Sequence, residues 1–232
     1  MKGNDKTEIV NDYLKKNSEI VMKHLQEGVV ILDPSSTYID EDVEIGAETV
    51  ILPNTHLKGN TKIGSGCEIG PNSIITNMEI CDNVKILASV CTDSLIKSGT
   101  TVGPFAYIRP NSNIGEKVKI GDFVEIKNST IDEGTKVSHL TYIGDSDVGK
   151  NINFGCGTIT VNYDGANKFR TVIEDGAFIG CNTNLVSPVK VGKNAFVAAG
   201  STITEDVEPD SLAIARSRQT IKKDWKRPVK NK

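Results

Sequence analysis

A six-residue beat of aliphatic side chains constrains this chain more than any other feature. Ile39, Ile45, Ile51, Leu57, Ile63, Ile69 and Ile75 fall at steps of six. The beat resumes with Ile96, Val102, Ile108, Ile114, Ile120 and Ile126, and again with Ile173, Ile179, Leu185, Val191, Val197 and Ile203. A helix repeats every 3.6 residues and a strand every two, so neither sustains period six. The pattern predicts an all-β parallel β-helix of hexapeptide repeats, each repeat one short strand and one turn. Composition agrees: aromatics are 5 % and Gly numbers 21. A narrow coil takes one aliphatic per repeat and needs Gly, Asn or Asp at its corners.

The beat runs from about residue 39 to 203, which predicts one long solenoid over 29–207. Residues 5–27 read as a helix within an N-terminal arm, 1–28. Asp5 and Glu8 suggest a capping box, Gly28 is the stop, and Ile9, Tyr13, Leu14, Val21 and Leu25 form an apolar stripe. Such a helix suits either a cap on the first coil or a linker. Steps of five occur at Ile75–Ile80, Ile126–Ile131 and Ile143–Val148, and residues 87–95 break the beat, which suggests a bulge. The polar, turn-rich stretch 161–171 reads as an insertion projecting from one side, and such insertions are often functional. The tail, 208–232, is a basic C-terminal arm containing Arg216, Arg218, Lys222, Lys223, Lys226, Arg227, Lys230 and Lys232, with the single tryptophan, Trp225.

Net charge is −3, so no global basic field recruits nucleic acid. No apolar run spans a bilayer and no signal-peptide core is present, so a cytoplasmic location is expected. The five cysteines are odd in number and contain no CxxC pair, so neither a disulfide framework nor a metal site is expected. Gly144–Asn151 imitates a phosphate-binding loop but ends in Asn and lies within hexapeptide turns.

Reactive side chains concentrate between 102 and 170. If three hexapeptides make one coil, residues about 18 apart stack on neighbouring coils. Arg109 and Lys127 are 18 apart, a cationic pair suited to phosphate. His139, in Val-Ser-His-Leu-Thr-Tyr, is the side chain best suited to proton transfer at neutral pH; a structural histidine is the alternative. No second His or Cys at ligand spacing favours a metal there.

Gly103-Pro-Phe-Ala-Tyr-Ile-Arg-Pro110, Gly121-Asp-Phe-Val-Glu-Ile-Lys127, His139-Leu-Thr-Tyr-Ile-Gly-Asp145, Gly155-Cys-Gly-Thr-Ile-Thr-Val-Asn-Tyr-Asp-Gly-Ala-Asn-Lys168 and Trp225-Lys-Arg-Pro closely resemble one enzyme family. It is the acetyltransferase half of the bifunctional N-acetylglucosamine-1-phosphate uridyltransferase/glucosamine-1-phosphate N-acetyltransferases. The resemblance begins near Gly28. It implies a left-handed β-helix, a homotrimer with active sites between subunits, and acetyl-CoA as cosubstrate. It also implies a place in UDP-N-acetylglucosamine and bacterial wall-precursor synthesis. By that resemblance His139 is the general base, with Glu125 nearby. Arg109, Lys127, Tyr142, Asn153 and Lys168 bind the sugar phosphate. Cys156, Asn162, Tyr163, Cys181, Ala199 and Arg216 form the acetyl-CoA site. Positions 156 and 181 are commonly Ala and Ser in relatives, so this chain departs there. No Gly-rich nucleotide loop is present, so uridylyl transfer is not expected of this stretch. The competing expectations are a hexapeptide acyltransferase with another amine acceptor, a non-catalytic scaffold subunit and, least favoured, a metal-dependent hydratase.

Overall fold

The computed structural model describes residues 3–227, with side chains from Lys6 onward. A helix, Gly3–Gln26, leads into a parallel β-solenoid of about ten coils. Strands of two or three residues pair with the strand one coil away. Val30–Ile31, Val50–Ile51 and Glu68–Ile69 begin one face. Tyr38–Ile39, His56–Lys58 and Ile74–Thr76 begin a second, and Glu44–Ile45, Lys62–Ile63 and Glu79–Ile80 a third. Each strand sends one aliphatic inward, so Ile51, Ile69, Ile86 and Ile120 stack in one column, fully or almost fully buried. Each such side chain contributes about 1.5–3 kcal/mol by leaving water.

Buried Ser and Thr hydroxyls tie coil to coil near the corners. Thr100 Oγ1 donates to the Gly115 carbonyl at 2.7 Å and accepts from the Val118 amide at 3.1 Å. Thr135 does the same with Gly149 and Ile152 at 2.8 and 3.1 Å. These bonds satisfy backbone groups that a turn would otherwise bury unpaired.

The beat continues through 87–95 without a bulge. Cys91, fully buried, occupies the aliphatic position between Ile75 and Ile108, reached by steps of five on either side. A thiol is a small apolar group here, which an aliphatic-only pattern overlooks. Thr160 fills another inward position, beside Leu185. Pairing also extends past Ile203: Leu212–Ala213 joins Phe196–Val197, and the Thr202 amide donates to the Ala215 carbonyl.

The helix is a cap. Asn17 acts as a surrogate strand, donating to the Thr37 carbonyl at 2.9 Å and accepting from the Ile39 amide at 3.0 Å. That closes an open sheet edge. Its C-terminal half buries Asn17, Val21 and His24, and the Tyr13 ring stacks on Tyr38 at 6.2 Å, while Ile9 and Leu14 remain exposed. The expected stripe is therefore half used: a helix of 24 residues, about 36 Å long, overhangs the coil end. It begins at Gly3, so Asp5 lies within its first turn instead of at the cap; the Asp5 side chain lies outside the described residues.

Two strands differ from all others. Lys119–Lys127 and Lys136–Gly144 each run nine residues continuously around the corner between the first and second faces. They pair along both faces and across the bend, with Asp122 beside His139. The three corners are lined by residues with positive φ. At the second-to-third corner these are Asn77, Asp93, Asn111, Asn128 and Asp145, residues that tolerate this conformation. At the first-to-second corner Phe105, Phe123 and Leu140 adopt it, with φ of 57, 56 and 39°. For bulky residues that conformation is strained. Their side chains stay in solvent, and the Phe105 and Phe123 rings stack at 5.6 Å.

Candidate active site

At the second-to-third corner, coil spacing places Arg109 and Lys127 on adjacent strands, because Ile108 pairs with Ile126. The eighteen-residue argument holds for this pair. The Arg109 guanidinium donates to Glu125 Oε1 at 2.7 Å and lies 5.9 Å from the Tyr107 ring centroid. Lys127 Nζ is 3.6 Å from Asp145 Oδ2. Asp145 is buried, at φ 49°. Its carboxylate accepts from Asn128 Nδ2 at 2.5 Å and from Asn162 Nδ2. Burial favours the neutral acid, but the two amides and the Lys127 and Lys168 charges outweigh it and hold Asp145 below the usual carboxylate range. Arg109, Lys127, Asn128, Asp145 and Lys168 line a cleft of about 330 Å³.

The insertion 161–171 places Lys168 in this cleft. It is a tight hairpin with Tyr163 paired to Lys168. Asp164 Oδ1 accepts from the Ala166 and Asn167 amides at 2.7 and 2.6 Å, and Gly165 turns at φ 103°. Arg170 clamps its base. The guanidinium donates to both Asp147 oxygens, to the Ser146 carbonyl at 3.0 Å and to the Asn128 carbonyl at 3.2 Å. Lys168 then faces Lys127, and that neighbouring ammonium lowers its pKa. Two ammonium groups lining one cleft favour an anion between them. Tyr142 leans over Gly144, where a Cβ would meet Tyr142 Oη at 2.3 Å. Its hydroxyl lies 3.5 Å from Asn162 Nδ2.

The first-to-second corner is different in kind. His139 Nδ1 is 2.7 Å from Asp122 Oδ1, one coil below, and the imidazole side chain is 60 % exposed. The hydrogen bond from His139 is the main cause that keeps Asp122 below the usual carboxylate range. Each of these residues precedes the positive-φ residue of its coil. The same position is held above them by Cys156, Cys181 and Ala199, which precede Gly157, Asn182 and Gly200. The backbone confirms the stacking: the Gly157 amide donates to Leu140, Asn182 to Cys156 and Gly200 to Cys181, at 2.9, 2.8 and 2.8 Å. Arg216 completes the column, its Cδ 3.5 Å from where a Cβ on Gly200 would stand. Asn153 lies on the first face, two residues before Gly155.

The predicted residues therefore separate into two groups. Arg109, Lys127, Tyr142, Asn162 and Lys168 gather at one edge of the second face. His139, Asn153, Cys156, Cys181, Ala199 and Arg216 line or flank the other. Asp122 and Lys127 share a strand that bends at Phe123, five residues and at most about 17 Å apart. Asn162, expected with acetyl-CoA, lies against Asp145, and Tyr163 is exposed on the insertion. Glu125 pairs with Arg109, and Asp122 takes the place beside the imidazole that the sequence reading assigned to Glu125. Asp122, Asp145 and Arg170 were missed. Asp122 was findable, since it stands one coil of seventeen residues before His139. Asp145 was hidden inside the discounted Gly144–Asn151 stretch, and no local signal marks Arg170.

Comparison with known proteins agrees with this architecture. Bacterial transferase hexapeptide (six repeats) models match residues 42–77 and 170–205, and a GMPPB C-terminal domain model matches 90–162. A bifunctional protein GlmU from Acetivibrio thermocellus is 59 % identical over 222 residues, covering 96 % of this chain and 48 % of that protein. One from Carboxydothermus hydrogenoformans is 61 % identical over 201 residues, covering 87 % and 45 %. The chain thus spans about half the length of the curated relatives it matches. A solved UDP-N-acetylglucosamine acyltransferase of Francisella novicida shares the fold, with TM-score 0.50 and 21 % identity over 80 % of this chain and 67 % of that one. Along nearly its whole length, this chain is similar to the C-terminal, hexapeptide-repeat half of the bifunctional GlmU proteins.

Proposed function

We propose that this chain transfers the acetyl group of acetyl-CoA to the amine of glucosamine-1-phosphate, yielding N-acetylglucosamine-1-phosphate for UDP-N-acetylglucosamine synthesis. One observation carries the reading: a single chain holds an anion cleft and an imidazole–carboxylate pair at opposite edges of one face. The phosphate would sit among Arg109, Lys127 and Lys168, with Tyr142 and Asn162 against the sugar. Asp145 sets the Lys127 ammonium in place. Acetyl-CoA would run along the column from His139 past Cys156, Cys181 and Ala199 to Arg216, whose charge suits the CoA phosphates. Asn153 stands beside that column and reaches the sugar from it.

This reading requires the cleft edge of one chain to meet the imidazole edge of another. A homotrimer provides this, because a closed ring brings one edge of each subunit against the other edge of its neighbour. The exposed ridge of Phe105, Phe123 and Leu140 supports such packing, since strained apolar side chains in solvent gain from being covered. In the assembled site His139, oriented by Asp122 through Nδ1, takes a proton from the substrate amine at Nε2. The amine attacks the thioester carbonyl, and a backbone N–H near Cys156 stabilises the oxyanion. CoA leaves as the thiol, and no covalent enzyme intermediate is required.

Steady-state CoA release with acetyl-CoA and glucosamine-1-phosphate, with glucosamine as control acceptor, tests the assignment. Release specific to the phosphorylated sugar is expected. Equal turnover of both sugars would contradict the phosphate cleft, and turnover of neither by assembled protein would contradict the acceptor.

A further inference from the structure

The column above His139 carries two thiols that the proposed reaction does not use. Of the five cysteines, Cys67 and Cys91 are buried, and full burial pushes the Cys91 thiol up to about 12. Cys81 is partly buried, and its thiol too is raised by burial. Cys156 and Cys181 are the exposed pair. They occupy the same position on consecutive coils, and the Asn182 amide bonds the Cys156 carbonyl at 2.8 Å. The backbones are in close contact here, since a Cβ on Gly155 would meet the Cys181 amide nitrogen at 2.4 Å. Adjacent parallel strands lie about 4.8 Å apart, within the about 4.4–6.8 Å Cα separation a disulfide spans. Both side chains leave the same side of the same corner, so their Cβ atoms point together.

We propose that Cys156 and Cys181 form an oxidisable dithiol whose disulfide blocks the acetyl-CoA track. An oxidant of the azodicarbonyl class takes two electrons and two protons: the Sγ–Sγ bond forms, both S–H bonds break, and the N=N group becomes a hydrazine. The bonded sulfurs then bridge the groove between His139 and Ala199. The bond itself depends only on the thiol geometry; its effect rests on the acetyl-CoA reading above.

The test uses the full chain treated with diamide, then peptide mapping by mass spectrometry. Acetyl-CoA affinity and labelled-acetyl transfer are measured before and after oxidation, and again after reduction. The expected result is a Cys156–Cys181 linkage, at least a tenfold loss of acetyl-CoA affinity, and recovery on reduction. C156A and C181S each abolish the linkage, and within each variant the oxidised-to-reduced ratio stays at one. A linkage elsewhere, or none, overturns the dithiol. A mapped linkage with unchanged acetyl-CoA affinity overturns the block. Failure of the reduced chain to bind acetyl-CoA overturns the functional reading and the block with it, while the mapped linkage still supports the dithiol.

Discussion

The two corners that flank the second face are built from the same repeat and do opposite things. At the Lys127 corner, Asp145 is buried, accepts two amide bonds and anchors a lysine, in a residue type at ease with positive φ. At the His139 corner, Asp122 and His139 are a lone exposed pair, and their neighbours Phe123 and Leu140 hold a backbone conformation such residues avoid. One corner is internally satisfied and presents fixed positive charge. The other leaves an imidazole–carboxylate pair and apolar groups in solvent. On the function proposed above, one solenoid supplies two half-sites, and local satisfaction distinguishes the anchoring half from the reacting half.

The largest test of that contrast is His139→Ala. It should lower kcat by about 10²–10⁴, the range of a lost general base, with acetyl-CoA affinity retained. Near-normal turnover at neutral pH would remove the base from this corner. Lys127→Ala should act differently, raising KM for the phosphorylated sugar about 10–100-fold through one lost charge-assisted contact. It should not impair binding of acetyl-CoA, and a loss there would show that the two edges do not divide the substrates. Asp122→Asn should cost about tenfold in kcat by loosening the imidazole, while leaving the melting temperature unchanged because the pair is exposed.

Asp145→Asn sharpens the comparison by stability. The carboxylate is held below its ordinary value of 3.8, so its contribution is present above that value and is lost as pH falls through the depressed one. The wild type should exceed the variant by about 1–2 kcal/mol at neutral pH. The gap should close in acid, below about pH 4. A gap that persists unchanged in strong acid would assign the stability to packing instead of to the charge.

Much of the solenoid is legible in the sequence because each coil repeats one physical problem. Inward positions need an aliphatic and corners need a residue tolerant of positive φ, so the beat marks both. The same logic placed Arg109 beside Lys127. It failed where a position was filled by an unexpected side chain: Cys91 looked like an interruption, and Phe105, Phe123 and Leu140 did not look like corner residues. The cation cleft was legible only in part. Asp145 and Arg170 act through contacts 17 to 42 residues away, set by how coils stack and how the insertion folds back. The division of the predicted residues between two edges was not legible, because it depends on strands that pass a corner without a break.

Subunit complementation tests the central claim most directly. Chains carrying His139→Ala and chains carrying Lys127→Ala each retain at most about a tenth of wild-type activity at low substrate. On the proposed homotrimer, unfolding them together and reassembling them gives mixed trimers in which some sites join an intact His139 edge to an intact Lys127 edge. If each site is built across a subunit boundary, about a quarter of the sites in an equal mixture are intact, and activity returns to about that fraction of wild type. Mixed trimers, verified by mass, that remain no more active than their parents would contradict the account, because both half-sites would then act within one chain.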